Sequence, residues 1–521
     1  MVEKLWFLIP EMVLFAAAVV VSVTGLSRSK RVRDLSPAIV IAALVAAGGL
    51  AWWLYADAQR LGEAGFLMPM LGRSVKTMVC AVGVLLALLS IGLVDRNLES
   101  AFATGRAGFD PIRVTRGEFY AFFLLSLTGV MLTSGANDLI WLFLALELTS
   151  LPTYVMVATA RSGRLSQEAA VKYFFLGAMA AAMMLFGFAL LYGSTGSIVL
   201  TDIREAFLEQ AFHGDVNALG LIGMVIALLG VCFKIAAVPM HFYAADVYEG
   251  AASPVTAFLA FVPKTAGMVT FIMLVATLGR EWHVDGADAL PPTIAMAIFM
   301  IAVLTMTMGN VLALMQRSVK RVLAYSSVAH TGYMLIGVLA GPTYGYTAVL
   351  FYLLVYGVMN TAAFAVLAAL ERGGEEVNDM ADLAGLARRH PLLAGVLCVS
   401  SLSLLGFPPL FGFVGKLYLF TAGIEAGQLW LVIIACLNSA ASAWYYLKIA
   451  GLPILAQPTP QSEAVTPGPS RWPLAAGVIG GAAIVTLWLV SSRLAETMHG
   501  AFDVREAVSA AMTPGEHVSG L

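Results

Sequence analysis

Long apolar stretches separated by shorter polar segments run along the whole chain. The hydrocarbon core of a bilayer is about 30 Å thick and requires about 20 apolar residues in one helix. Windows that meet this requirement recur about fourteen times. The stretches are continuous, whereas the strands of a membrane barrel alternate apolar and polar residues over about ten positions. The pattern therefore predicts an all-α polytopic membrane protein with about fourteen transmembrane helices.

The predicted spans are joined by short connections and are numbered in chain order. They cover residues 4–25, 37–56, 75–94, 118–134, 138–158, 168–192, 216–243, 253–279, 292–315, 320–341, 345–370, 391–423, 428–452 and 472–491. The first has the length of a span and lacks a clear small-residue cleavage site. We therefore expect it to be a retained helix and not a removed signal peptide.

Composition supports the same class and excludes several others. Of the 521 residues, 60% are hydrophobic and 12% are charged, a balance that no ordinary soluble domain shows. The four cysteines lie inside predicted spans and lack the spacing of metal or iron–sulfur ligands. No glycine-rich nucleotide loop stands between a strand and a helix, and the net charge is only −2. We expect no cofactor, metal or redox centre on this chain, and no nucleic-acid partner.

Lysine and arginine are unevenly divided between the two sets of loops. Loops that follow odd-numbered spans carry 18 of the 30 Lys and Arg residues, and the opposite side, with both tails, carries 8, including Lys76. The positive-inside rule then places both termini outside. The remaining four basic residues lie inside predicted spans: Lys172, Lys234, Lys264 and Lys416.

Several ionisable residues lie near the middle of a predicted span. Glu147, Lys234, Lys264 and His330 stand within four residues of the midpoints of spans 5, 7, 8 and 10. At a rise of 1.5 Å per residue, this places them within about 6 Å of the bilayer centre. Each costs about 2.5 to 3.5 kcal/mol on insertion scales, and such residues usually mark ion or proton pathways. The pattern predicts a proton path.

Some of these residues can also have purely structural roles. Lys172 lies near the start of span 6, where its long stem can reach the surface. His330 can be a neutral core histidine, and Glu147 can form a static ion pair with one lysine. One central glutamate cannot neutralise every buried lysine, however. At a separation of 4 Å and an effective dielectric constant of 20, the attraction between the glutamate and a lysine is about 4 kcal/mol. The approach or withdrawal of the glutamate can therefore decide whether that lysine holds a proton.

Prolines interrupt two of the predicted spans beside a lysine. Pro239 removes a backbone donor and clashes with the preceding turn, so we expect span 7 to break just after Lys234. Span 12 repeats the pattern in SLLGFPPLFGFVGKLYLF, residues 403–420, around Lys416. Because the two spans are five apart, they cross the membrane in opposite directions. Paired interrupted helices of this kind are typical of transporters built from inverted repeats.

This symmetry predicts the organisation of the chain. We expect two inverted five-helix repeats, spans 4–8 and 9–13, with broken helices 7 and 12. The predicted segments are an N-terminal three-helix segment (1–116), a first antiporter-like repeat (117–280), a second repeat (291–452), and a linker, C-terminal helix and polar tail (453–521).

Several stretches resemble one known family, the antiporter-like membrane subunits of respiratory complex I, the NADH:quinone oxidoreductase. The resemblance covers roughly residues 115–450. It is carried by FKIAAVPMHFYAADVYEGAASPVTAFLAFVPKTAG (233–267), LAYSSVAHTGYMLIGV (323–338), DLAGLARRHPLLA (382–394), LSLLGFPPLFGFVGKLYLF (402–420), LELTSLPTYVMVA (146–158) and AVKYFFLGA (170–178).

The resemblance implies roles for individual residues. Glu147 matches the glutamate that pairs with the lysine of helix 7, here Lys234. Lys264 matches the central relay lysine, and His330 matches the relay histidine of helix 10. Lys416 matches an outer-side lysine; in the sibling subunit M a glutamate is expected there, so the chain resembles that subunit less. Lys172 matches a lysine found on helix 6.

The function implied is that of a proton-translocating subunit, with quinone reduction carried out by other subunits. The resemblance also implies fourteen helices, a half-channel in each repeat and a multi-pass position in a bacterial inner (plasma) membrane. The expected partners are the lipid bilayer, protons, the other membrane subunits of complex I and, through the complex, the quinone pool. The alternatives are a cation/proton antiporter, acting alone or as part of a multisubunit sodium/proton type, and an inert scaffold with buried ion pairs.

Overall fold

The protein is described from a computed structural model. The described residues are 6–55, 67–68, 71–93, 104–106, 117–160, 163–213, 216–278, 282–284, 287–342 and 344–499. The end of the predicted polar tail, from residue 500, lies outside these ranges.

Helices account for most of the described chain. The α-helices are α1 (Ile9–Gly25), α2 (Lys30–Arg33), α3 (Ser36–Leu54), α4 (Leu71–Ser90), α5 (Gly117–Thr133), α6 (Leu139–Thr159), α7 (Arg164–Thr195), α8 (Leu200–Phe212), α9 (Ala218–Lys234), α10 (Ala244–Gly250), α11 (Ser253–Ala276), α12 (Pro292–Leu314), α13 (Val319–Ala340), α14 (Gly345–Ala369), α15 (Pro391–Leu405), α16 (Phe411–Glu425), α17 (Leu429–Leu455), α18 (Pro460–Glu463), α19 (Trp472–Thr486) and α20 (Ser491–His499).

The strands are short and lie between helices. β1 (Trp282–Val284) pairs with β2 (Ala287–Ala289) in one antiparallel ribbon. In a second sheet, β3 (Leu370–Arg372) lies between β4 (Glu375–Glu376) and β5 (Val465–Pro467).

Among the described residues, nine helices are long and apolar enough to cross a membrane, or ten if the bent pair formed by α19 and the following helix is one span. That pair bends by 90°. Four shorter apolar helices, α1, α5, α9 and α15, lie at other predicted spans. The prediction of a helical, multi-pass protein agrees with this architecture, and the count of fourteen spans stays a prediction.

Three helices form the centre of the bundle. In α11, α13 and α14, between 94% and 100% of the apolar window is buried, against 33% to 39% in the peripheral helices α7, α12 and α17. A helix that is hydrophobic all round lies in a protein core or spans a membrane, and in these three helices other protein segments cover nearly every face. The central helices α11 and α13 carry Lys264 and His330, so both side chains lie far from the protein surface.

The helix breaks occur where the prolines predict them. α9 ends at Lys234, and the chain resumes helical structure at Ala244. α15 ends at Leu405, and α16 begins at Phe411. The peptide bonds preceding Pro239 and Pro409 are both cis.

Lys76, the second residue of the predicted span 75–94, does not extend into the adjoining loop as its count among the loop charges predicts. It belongs to α4, is 0% exposed and forms an ion pair with Glu11 of α1, with Nζ 2.7 Å from Oε1. It also donates to the carbonyl of Phe7, at 2.9 Å, and to the hydroxyl of Tyr55. The assignment was wrong because α1 and α3 cover this turn of α4, a packing that a count of charges by loop does not contain.

Several short elements were not predicted, among them all five strands and the helix α8. The helix α8 lies in the connection after α7, and β5 lies within the Pro- and Ser-rich linker 456–470. In the sheet, Thr466 of β5 pairs with Glu371 of β3. A strand of three residues has no measurable alternation of polarity, so its pairing with a distant segment is decided by tertiary structure.

Candidate functional site

The first predicted pair is formed between α6 and α9. Nζ of Lys234 donates to Oε1 of Glu147 at 3.0 Å and to Oγ of Ser150 at 2.7 Å. The Lys234 side chain is 2% exposed, whereas that of Glu147 is 18% exposed. Lys234 is the last residue of α9, so its ammonium lies beside the break in the helix. The pair therefore joins a buried base to an acid that keeps some access to the surface.

Side chains of other helices satisfy the backbone groups that this break frees. In an α-helix each carbonyl accepts from the N–H four residues later, but residue 239 is a proline without that N–H. The carbonyl of Ile235 accepts instead from Oγ1 of Thr331, at 2.7 Å. The N–H of Val238 donates to Oγ1 of Thr305, at 3.0 Å. The two threonines lie on α13 and α12, which belong to the predicted second repeat.

Lys264 of α11 is buried without an acid. Nζ donates to the backbone carbonyl of Ser327 and, at 2.7 Å, to its hydroxyl. It also lies 4.9 Å from the centre of the Tyr356 ring. No carboxylate of the described residues is within ion-pairing distance of Lys264. The side chain, which is at most 1% exposed, is surrounded by neutral groups that can accept hydrogen bonds from an ammonium but do not neutralise its charge.

His330 lies between two tyrosine hydroxyls. Its Nδ1 is 2.6 Å from the hydroxyl of Tyr352, and its Nε2 is 2.8 Å from that of Tyr446. The Tyr446 hydroxyl also bonds the hydroxyl of Ser326. A neutral imidazole has one donor and one acceptor nitrogen, so one tyrosine donates and the other accepts. This arrangement can pass a proton through the ring.

The second break resembles the first. Leu405 precedes Pro409 by four residues, so its carbonyl also lacks the usual backbone donor. Nζ of Lys416 supplies one at 2.7 Å and donates to Oγ of Ser439 at 3.0 Å. Gly406, with φ of +90°, adopts the left-handed conformation that ends α15. Lys416 is thus bonded to the break itself.

Lys172 lies at the protein surface, away from the other predicted site residues. Its side chain is 42% exposed and lies 2.8 Å from Glu168 and 2.7 Å from Asp246 of α10. Arg321 of α13 bonds the other oxygen of Asp246, at 2.8 Å. This surface network links α7, α10 and α13. It is separate from the buried groups around Lys234, with which Lys172 makes no bond.

Sequence reasoning missed the neutral partners of the charged groups. Tyr352, Tyr446, Ser327 and Thr331 lie inside predicted spans, where tyrosine, serine and threonine are common enough to be taken as core residues. Only Ser327 and Thr331 could have been found from the sequence, because they lie close to His330 on the same helix. Among the described residues no group of three or more His, Cys, Asp or Glu could hold a metal ion.

Comparison with known proteins places the chain in a family. Residues 136–442 match the family described as NADH:quinone oxidoreductase/Mrp antiporter, TM. NADH-quinone oxidoreductase subunit N of Trichlorobacter lovleyi is 44% identical over 333 residues, which are 64% of this chain and 66% of the relative. Subunit N of Halorhodospira halophila is 34% identical over 491 residues, 93% of this chain and 96% of that relative. The chain thus spans just under two thirds of the first relative and nearly all of the second.

Solved structures give the same result for the fold. A chain of respiratory complex I from Thermus thermophilus with bound Aureothin has a TM-score of 0.72 and is 28% identical, with 94% of this chain and 99% of that chain covered. A chain of the Mrp complex from Dietzia sp. DQ12-45-1b has a TM-score of 0.74 at 22% identity, covering 98% and 100%. The resemblance predicted from the sequence is confirmed. The chain belongs to the NADH:quinone oxidoreductase/Mrp antiporter family of membrane subunits and, within it, groups with the proteins named NADH-quinone oxidoreductase subunit N.

Proposed function

We propose that this chain is a proton-translocating membrane subunit of an NADH:quinone oxidoreductase, in which quinone reduction occurs on other subunits. The observation that carries the proposal is the unequal pairing of buried lysines. Lys234 has a carboxylate at 3.0 Å, whereas Lys264 has only the carbonyl and hydroxyl of Ser327. Lysines held in this way can lose and regain a proton as an acid partner moves. The names of the relatives support the assignment to complex I.

The proposed path joins the four groups in the order Lys234, Lys264, His330 and Lys416. Protons enter near the break after Lys234, pass to Lys264 and His330, and leave through Lys416 on the outer side. Movement of Glu147 toward or away from Lys234 drives the transfer. At an effective dielectric constant of 20, a charge at 4 Å is worth about 4 kcal/mol. Moving one charge against 100 mV requires about 2.3 kcal/mol, so the pairing change is large enough to drive one proton.

Lys172 lies apart from the other members of the predicted set. Its bonds to Glu168 and Asp246 lie at the surface. We propose that it orders α10 beside the entry and does not carry the proton itself.

The proposed topology has fourteen spans in two inverted repeats. The matching helix ends at Lys234 and Leu405, each followed within five residues by a proline, support it. So does a second correspondence: Asp138 and Ser318 each cap the N-terminus of a helix through their side chains, and each forms an isolated β-bridge. Under this topology both termini lie in the periplasm and the protein resides in the bacterial inner membrane. Its proposed partners are the other membrane subunits, the lipid bilayer and, through the complex, the quinone pool, with no cofactor on this chain.

Replacement of Lys264 tests the proposal in the assembled complex. In inside-out membrane vesicles, Lys264→Met should lower the number of protons pumped per NADH oxidised, with the same complex content by immunoblot. Lys448→Met is the matched control, because Lys448 is an exposed residue of α17, and it should pump normally. A wild-type ratio in Lys264→Met would contradict the proposal and favour the scaffold. Pumping that stops when sodium is replaced by choline would favour the multisubunit antiporter.

A further inference from the structure

The hydroxyl of Thr331 lies between the two halves of the proposed path. On one side it bonds the carbonyl of Ile235, the residue that follows Lys234, at 2.7 Å. That carbonyl has lost its backbone donor to Pro239. Thr331 on α13 therefore holds the end of α9, a helix that belongs to the other repeat. Its hydroxyl replaces a bond that the helix itself would otherwise make.

The same hydroxyl has a second acceptor. Oγ1 of Thr331 lies 3.2 Å from the carbonyl of Ser327, one turn earlier on α13. Threonines in helices commonly donate to this carbonyl. In this protein it is also the carbonyl that accepts from Nζ of Lys264. A hydroxyl has one hydrogen, so Thr331 can donate fully to only one of the two carbonyls.

The residues at this junction are buried and closely packed. Ile235 and Thr331 are 0% exposed, and Ser327 is 1% exposed. On the opposite side the backbone of Gly267 in α11 approaches so closely that a Cβ there would lie 2.6 Å from Cγ2 of Ile235 and 2.9 Å from Cβ of Lys234. Close-packed groups move together, so a change of bond at Thr331 shifts its neighbours.

We propose that Thr331 is a positioning residue that couples Lys264 to the break after Lys234 by exchanging one hydrogen bond. While the ammonium of Lys264 donates to the Ser327 carbonyl, Thr331 donates to Ile235 and holds the break in the observed geometry. When Lys264 leaves that carbonyl, Thr331 turns to it and releases Ile235. The coupling is reciprocal, because a change at either acceptor alters the free energy of the bond at the other. This inference rests on the proposed proton path and adds the element that links its first two lysines.

Substitutions of Thr331 in the assembled complex test the coupling. Thr331→Val keeps the shape of the side chain and removes the hydroxyl, so we expect protons pumped per NADH to fall to the ratio of Lys264→Met. Thr331→Ser keeps the hydroxyl and should retain the wild-type ratio. The matched control is Thr361→Val: Thr361 is also 0% exposed, and its hydroxyl bonds the carbonyl of Gly357 within its own helix, at 2.7 Å. It should leave the ratio unchanged.

Each outcome separates the coupling from the proposed function. If Lys264→Met loses pumping and Thr331→Val keeps the wild-type ratio, the coupling is wrong and the proton path stands. If Lys264→Met itself pumps normally, the proposed function fails. Should Thr331→Val not assemble, the serine variant still decides, because loss of pumping in an assembled Thr331→Ser complex overturns the inference. A fall in the ratio for Thr361→Val equal to that for Thr331→Val also overturns it, since any lost threonine hydroxyl would then suffice.

Discussion

The ammonium of Lys416 donates to the carbonyl of Leu405 across 2.7 Å, at the position where Pro409 provides no backbone N–H. Thr331 fills the corresponding position at Ile235 with a neutral hydroxyl. The two breaks thus expose the same kind of carbonyl and differ in what satisfies it. The carbonyl of Leu405 is bonded to an ammonium, which can lose its proton. A change in the protonation of Lys416 therefore changes a bond that holds the break.

Removal of this ammonium should affect both structure and pumping. Lys416→Met leaves the partly buried Leu405 carbonyl without its donor, and since a fully buried unsatisfied polar group costs about 1 to 3 kcal/mol, the loss should lie toward the lower end of that range. We expect a lower thermal midpoint for the purified complex and fewer protons pumped per NADH in vesicles. Lys416→Arg retains a charged donor and should be less destabilised. Equal stability of the Met variant and the wild type would show that water or another group replaces the ammonium.

Loss of the acid at Glu147 should disable the first pair. Glu147→Gln removes the negative charge 3.0 Å from Nζ of Lys234. Breaking a buried ion pair on one side costs about 3 to 5 kcal/mol, so we expect reduced complex stability and loss of proton pumping by this subunit. Glu168→Gln is the control, because its ion pair with Lys172 is exposed and worth at most about 1 kcal/mol. Pumping that survives Glu147→Gln would exclude the acid as the driving group.

The two tyrosines beside His330 should each contribute to proton transfer. Tyr446→Phe and Tyr352→Phe keep the rings and remove the hydroxyls bonded to Nε2 and Nδ1. Since a positioned proton-transfer group contributes about 10²- to 10⁴-fold, we expect each variant to slow pumping by at least about tenfold. The measurement is the initial rate of vesicle acidification in H₂O and in D₂O, and the isotope effect should grow in both variants.

Tyr418→Phe is the control for the tyrosine variants. Its ring packs against Phe351 with centres 5.1 Å apart, and its hydroxyl has no bond to any described residue. If Tyr418→Phe slows pumping as much as Tyr446→Phe, the loss reflects ring packing and not the hydroxyl bonded to the histidine.

The pair of Glu11 and Lys76 should act on stability alone. Glu11→Gln leaves a fully buried ammonium without its anion, a change that costs about 3 to 5 kcal/mol. The combined change Glu11→Leu with Lys76→Met removes both charges and should recover most of the stability. Thermal unfolding of the complex measures both effects. Because the pair lies outside the proposed path, protons pumped per NADH should stay at the wild-type value in the double variant, and a fall would place the pair in the path.

Much of the architecture followed from local properties of the chain. Whether a segment enters the membrane depends on the sum of its residues' transfer free energies, so continuous apolar stretches indicated the helices without knowledge of their neighbours. Pro239 and Pro409 each remove an N–H at a known distance along the chain, and the breaks occur beside them. Glu147, Lys234, Lys264 and His330 were candidates for the same reason, since a charge in hydrocarbon is costly wherever the helix later packs.

The partners of these groups were decided only when helices packed against one another. The serine that bonds Lys264, the tyrosines around His330 and the threonine that caps Ile235 come from helices remote in sequence. Lys76 and Glu11 pair for the same reason. The hydropathy of a hydroxyl or carbonyl does not indicate its hydrogen-bond partner. A hydrogen bond depends on the distance and angle between two groups that lie on different helices. Those are properties of the bundle and not of any one helix.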